Sequence, residues 1–166
     1  MTFEPGDQGR PALTEQPSKL AIQVRPAVRE DCEMLAKLAG QLGYESSADQ
    51  IAARLEAARA SDEHSVLVAQ ERGAEIVGWI GMFVFRPVTS DPRVEVSGLV
   101  VDEARRSQKI GQLLLQSAEE WALAKGCGTI GLHCNIVRTR AHGFYERQGY
   151  HLKKTQKLFH KVLSKV

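Results

Sequence analysis

Long apolar runs are missing from this chain. No stretch approaches the ~20 consecutive apolar residues that cross a bilayer, so no membrane association is expected. The first residues, MTFEPGDQGRPALTEQPSK, carry acids, prolines and glycines where a secretory leader has a basic and then an apolar segment. Cysteine is scarce: Cys32, Cys127 and Cys134 are odd in number and widely separated, with no CxxC pair. Neither a disulfide framework nor a zinc ribbon is indicated, no metal site is expected, and a reducing, cytoplasmic setting is the simplest expectation. An excess of one charge is lacking too. The 22 basic and 20 acidic residues leave a formal +2, which gives no support for sequence-independent binding to nucleic acid. A GxGxxG fingerprint is absent and strands do not alternate regularly with helices, so a dinucleotide-binding Rossmann domain is disfavoured.

What is present fits one folded unit. At 166 residues and 43% hydrophobic content, the chain is long enough for a sizeable core. Residues 1–19, with little to bury, are expected to form a mobile tail, and residues 20–166 a single domain. AIQVRPA begins a strand. Met34, Leu35, Leu38, Ala39 and Leu42 follow at helical spacing, stopped by Gly43, and Ile51, Leu55 and Ala58 mark a second helix. SVLVAQ, ERGAE and IVGWIGMFVF read as strand, turn and strand. VEVSGLVV is a further strand, in which Gly98 signals a bulge or a close backbone approach. Leu113, Leu114, Ser117, Ala118 and Trp121 define a helical face ending near Gly126. TIGLHC is a short strand and RTRAHGFYERQG a helix with Ala141, Phe144 and Tyr145 on one side; HLKK and QKLFHKVL are expected to close the chain as strands. The order predicts a mixed α/β sheet, with antiparallel hairpins in the middle, a β–α–β crossover forming a parallel pair, and helices on its faces.

RRSQKIGQ, residues 105–112, lies between a strand and a helix. Free backbone N–H groups and the positive end of the helix dipole meet there, which favours phosphate, and Arg106 and Lys109 add charge. Gly111 would let the backbone come close. The competing reading is a polar helix start whose glycine merely packs tightly.

Arg106-Ser107-Gln108-Lys109-Ile110-Gly111 resembles the R/Q-x-x-G-x-G/A acyl-CoA loop of the GNAT superfamily of N-acyltransferases. The likeness extends to IQVRPA and its helix, to VEVSGLVVDEARRSQKIGQLLL, and to CNIVRTRAHGFYERQGY with its A-H-x-F-Y-x-x-x-G-Y pattern. It covers about residues 21–163. The departure is Lys109, which stands where the family has its first glycine. A left-handed backbone there would cost lysine ~1–2 kcal/mol. In a first helical turn lysine would fit, and its ammonium would reach a phosphate; a working cradle of that second kind is the expectation.

The resemblance implies a GNAT-like fold: a mixed, largely antiparallel sheet with a central parallel pair splayed at a bulge, and helices on both faces. It also implies acetyl transfer from acetyl-CoA, as co-substrate, directly to a primary amine of a small molecule or peptide. A bulge frees backbone groups of Leu99, Val100 and Val101 for a ligand; in the family such groups pair with the pantetheine amides. Arg106, Ser107, Gln108, Lys109, Ile110, Gly111 and Gln112 would bind the pyrophosphate, and Asn135 would reach a CoA amide or form a turn. Tyr145 would protonate the departing thiolate, since a phenol stays protonated at neutral pH. Glu95 would act as base toward the amine, or pair with Arg93 or Arg86. By alternation Glu95 should share a face with Ser97 and Leu99, opposite Val94 and Val96. Tyr44 and Glu45 lie in the loop expected to recognise the acceptor. Cys127 and Cys134 read as small core residues. A non-catalytic acyl-CoA sensor or interaction module of the same fold is the alternative, and a homodimer is compatible with the family.

Overall fold

The computed structural model describes residues 22–73 and 75–163; the expected tail, residues 1–19, lies outside the described residues. Five strands form one sheet in sequential order: β1 (Ile22–Pro26), β2 (His64–Glu71), β3 (Ile76–Phe85), β4 (Arg93–Val101) and β5 (Ile130–Leu132). The first four pair antiparallel, and β4 and β5 pair in parallel. The crossover that a parallel pair requires is made by α3 (Ile110–Ala124). Three further α-helices lie among the described residues: α1 (Cys32–Leu42), α2 (Ala48–Arg59) and α4 (Thr139–Arg147). The mixed α/β architecture matches the expectation.

Local signals explain most boundaries. Gly43 takes the left-handed conformation (φ 96°) that ends α1. Ser47 accepts from the Gln50 N–H while the Gln50 side chain returns to Ser47, a reciprocal cap that starts α2. Ahead of α1, Asp31 accepts both Arg25 guanidinium nitrogens and the Val28 N–H, each at 2.8 Å. Burial pushes the Asp31 carboxyl up, but these three bonds outweigh it and hold the group below the usual aspartate range.

The sheet is covered on both faces. On one, Ile80, Met82, Val94 and Val96 pack with Ile110, Leu114, Leu115 and Ala118 of α3. On the other, Val68, Ile76 and Val100 pack with Leu35 and Leu38 of α1 and Leu55 of α2. Each fully buried leucine or isoleucine contributes ~1.5–3 kcal/mol of apolar transfer.

Two expectations are corrected. Leu113 is 37% exposed and Leu115 only 1%. At about 100° per residue, Ile110, Leu114, Leu115, Ala118 and Ala122 share one stripe over the sheet and Leu113 falls outside it. The two closing strands do not form: residues 151–163 carry no strand pairing, and Leu152, Leu158, Phe159, Val162 and Leu163 are exposed. A strand exists through its ladder partner, and β5 is the last strand to acquire one among the described residues. Among those residues no helix is long and apolar enough to cross a membrane.

Candidate active site

The site begins at an irregularity in β4. Gly98 pairs with Gly81 and Val96 with Met82, so Ser97 is one residue too many on its strand. The bulge reverses the inward–outward alternation. Val94 and Val96 face the α3 core, and beyond the bulge Leu99 and Val101 pack against that same core while Val100 is buried on the opposite face. The expected grouping of Glu95 and Ser97 with Leu99 is therefore wrong, because simple alternation does not survive an inserted residue.

At the same point β4 parts from β5. Their pairing runs from Val94↔Ile130 to Val96↔Leu132 and stops. Leu99, Val100 and Val101 keep their partners Ile80, Trp79 and Gly78 on β3. The backbone groups left open are consequently those on the β5 side, and they are open because β5 ends, not because the bulge breaks the β3 ladder. On this edge, residues 97–101 face no strand among the described residues. A chain-like ligand with amide groups would complete the edge as an added strand does.

The loop leading into α3 is fastened at its base. Asp102 accepts from the Ala104 N–H at 2.8 Å, the Gln41 side chain accepts from the Glu103 N–H at 3.1 Å, and Arg105 donates to the buried Glu71 at 2.8 Å. Arg106 donates to Glu103 at 3.1 Å, and Arg140 to the Ser107 hydroxyl at 3.4 Å. Ser107 and Lys109 both take left-handed conformations, φ 68° and 64°. Lys109 is the residue capping α3, not a member of its first turn, so the expected helical placement is overturned and the position is one that favours glycine. The first bond of the helix runs from the Leu113 N–H to the Lys109 carbonyl. The N–H groups of Ile110, Gly111 and Gln112 thus lack helical acceptors, and neither a side-chain cap nor a first-turn acid supplies one. That combination suits an anion. Gly111 has a different duty: a Cβ there would lie 3.1 Å from Phe144 Cζ, so its smallness lets α4 pack against α3.

Tyr145 enters from α4, packed between Phe144 and Tyr150 at ring-centroid distances of 5.3 and 6.0 Å. The Tyr150 hydroxyl donates to Glu119 at 3.0 Å, whereas that of Tyr145 has no hydrogen-bond partner among the described residues. Burial pushes the Tyr145 phenol up to about 12, nearby Cys134 adds to this, and the Arg138 cation opposes it. Cys134 is half-buried beside this group and not in the core, while Cys127 is 2% exposed and does lie there. Burial pushes the Cys134 thiol up, the reverse of an activated nucleophile.

The remaining candidates are dispersed. Glu95 is 8% exposed on the face opposite α3; its Oε1 accepts from Arg93 at 2.6 Å, and its Oε2 lies 4.0 Å from His133 Nδ1. Asn135 Oδ1 accepts from the Val137 N–H at 3.2 Å, the turn-forming alternative, and its carbonyl meets His142 Nε2 at 3.0 Å. Tyr44 is 69% exposed. Glu45 borders a shallow hollow between α1 and α2 with Lys37, Gly40 and Gln50, away from the buried face of α1. Among the described residues no group of three or more His, Cys, Asp or Glu is arranged to hold a metal ion.

Sequence reasoning passed over two contributors. Trp79 covers Gly98 at the bulge, with Cη2 2.8 Å from the place a Cβ would occupy; nothing local distinguishes it from an ordinary core aromatic. Arg138 reaches from the start of α4 to the Leu42 carbonyl at 2.6 Å, and two arginines spaced i, i+2 without an adjacent acid were the available signal.

The sequence pattern of the Acetyltransferase (GNAT) family matches residues 31–150. The chain belongs to this family. An aminoalkylphosphonate N-acetyltransferase of Salmonella typhimurium (strain LT2) is 34% identical over 137 residues, spanning 77% of this chain and 84% of that protein. Among solved structures, glucosamine-6-phosphate N-acetyltransferase from Arabidopsis thaliana superposes with a TM-score of 0.74 at 20% identity, covering 84% of this chain and 98% of that one. An aminoglycoside antibiotic 6'-N-acetyltransferase from Acinetobacter baumannii gives 0.76 at 16% identity, covering 87% and 100%. At such identities the two structures speak for the GNAT fold alone.

Proposed function

We propose that this GNAT domain transfers an acetyl group from acetyl-CoA to the primary amine of a small molecule in the cytoplasm. The Salmonella relative makes aminoalkylphosphonates the first acceptors to try. The observation that carries the reading is the open β4 edge at residues 97–101, which leads to an uncapped helix N-terminus, with Tyr145 packed against the same core as Leu99 and Val101. Acetyl-CoA supplies the acetyl group as a thioester that an amine attacks directly.

The chain's own residues divide the work. Backbone groups of Leu99, Val100 and Val101 pair with the pantetheine amides, and the Asn135 amide nitrogen is free to join them. The N–H groups of Ile110, Gly111 and Gln112, with the Arg106 and Lys109 cations and the Ser107–Gln108 turn, hold the pyrophosphate. Tyr145 keeps its proton across the physiological range and delivers it to the leaving sulfur. Glu95 Oε2 accepts the proton of the incoming ammonium while Arg93 holds Oε1 in place. Tyr44 borders the acceptor side.

Calorimetry with acetyl-CoA, followed by thiol release across a panel of amines, tests the reading. Binding with amine-dependent release is expected. Binding without release from any amine would identify a sensor, and no binding at millimolar concentration would remove the site.

A further inference from the structure

Arg138 is set apart from the other described arginines without a carboxylate partner, Arg54, Arg59, Arg72, Arg140 and Arg147, by where it reaches. Arg25, Arg29, Arg86, Arg93, Arg105 and Arg106 each meet a carboxylate, respectively Asp31, Glu56, Glu63, Glu95, Glu71 and Glu103. Arg138 meets none among the described residues; one nitrogen, Nη2, donates to the Leu42 carbonyl at 2.6 Å. A guanidinium has five N–H donors, so most of this fork is unspent.

Its position gives that surplus a use. Leu42 is the last residue of α1, and its Cδ2 lies 3.8 Å from where a Cβ on Gly98 would stand. The same Nη2 lies 4.0 Å from the corresponding point on Gly43. The side chain therefore spans from the β5–α4 junction to the end of α1, across the place where β4 leaves β5. On the α4 side its charge reaches Tyr145, where it opposes the upward push of burial. An unpaired cation is thus held at the loop at 42–45, where an acceptor amine must approach, with its charge felt at the proton donor.

The geometry points to Arg138 as a specificity-determining residue: its free edge binds an acidic oxyanion, phosphonate, phosphate or carboxylate, carried by the amine substrate. A planar fork suits such groups, because two parallel N–H bonds reach two oxygens. The inference rests on the acetyl-transfer reading and adds the class of acceptor and the residue that selects it. A purely structural role is the competing account, since a cation at the C-terminal carbonyls of α1 also stabilises that helix.

The test compares wild type with Arg138→Gln and Arg138→Lys in thiol release from 2-aminoethylphosphonate, β-alanine and the neutral ethanolamine. Wild type should prefer the two acidic amines. Arg138→Gln should raise their KM roughly tenfold or more, the weight of a charge-assisted bond, with the KM of ethanolamine and of acetyl-CoA unchanged. Arg138→Lys should recover part of the loss. Equal losses for acidic and neutral amines, or a raised KM for acetyl-CoA alone, would overturn the inference and leave acetyl transfer standing. No release from any amine by the wild type would overturn the functional reading and the inference with it.

Discussion

The Cη2–Cζ3 edge of the Trp79 indole abuts Gly98, so that a Cβ at residue 98 would sit 2.8 Å from Cη2 and 2.9 Å from Cζ3. One glycine thereby lets β3 and β4 keep a bulge at Ser97 under an aromatic cover. Gly98→Ala should force the indole or the strand to move. Overpacking of this kind costs ~1–3 kcal/mol, and the shift occurs where β4 edge groups are offered to a ligand. Denaturant unfolding should show the loss, and acetyl-CoA affinity should fall with it. Unchanged stability would mean that the bulge has room to spare.

Much of the frame was legible in the sequence, for local reasons. The β-branched and aromatic runs at 76–85 and 93–101 and the Gly43 stop are signals that neighbours in sequence carry by themselves. The reversal of faces after Ser97 was not legible, because a bulge is a relation between two strands. The failure of residues 151–163 to pair has the same character: alternating residues propose a strand, and only a partner makes one. Of the site, the loop and Tyr145 were marked by motif, but the left-handed Lys109 and the reach of Arg138 depend on elements far away in the chain.

Lys109 combines a conformational cost with a useful charge. Lys109→Gly should relieve the left-handed strain and raise stability by about 1 kcal/mol relative to Lys109→Ala, measured by denaturant midpoint. Both variants lose the ammonium, and both should bind acetyl-CoA more weakly than wild type, with the deficit shrinking as salt rises. Markedly tighter binding by Lys109→Gly would show that lysine obstructs the cradle.

Glu95→Gln should lower turnover roughly 10²-fold or more if the carboxylate takes the amine's proton. Acetyl-CoA affinity should not change, since Glu95 lies before the open stretch of β4. Turnover unchanged across the pH range would confine Glu95 to its pair with Arg93.

Alkaline pH should weaken the fold. The Tyr145 phenol sits near 12 and burial and Glu119 push Tyr150 upward too, against about 10 for a free tyrosine. Both groups thus hold their protons more tightly folded than unfolded. Their stabilisation is complete below pH ~10 and is lost as pH climbs toward the folded values. Thermal unfolding from pH 9 to 11 should show a decline that is shallower in Tyr145→Phe. An equal slope in the variant would contradict the burial of that hydroxyl.

The central claim, acetyl transfer at the parting of β4 and β5 with Tyr145 as proton donor, is met most directly by one measurement. Thiol release at saturating acetyl-CoA and amine is compared between wild type and Tyr145→Phe, with acetyl-CoA affinity measured alongside. The account predicts amine-dependent release by wild type and a kcat loss of roughly 10²-fold or more in the variant, at unchanged affinity. Full turnover by Tyr145→Phe would contradict it.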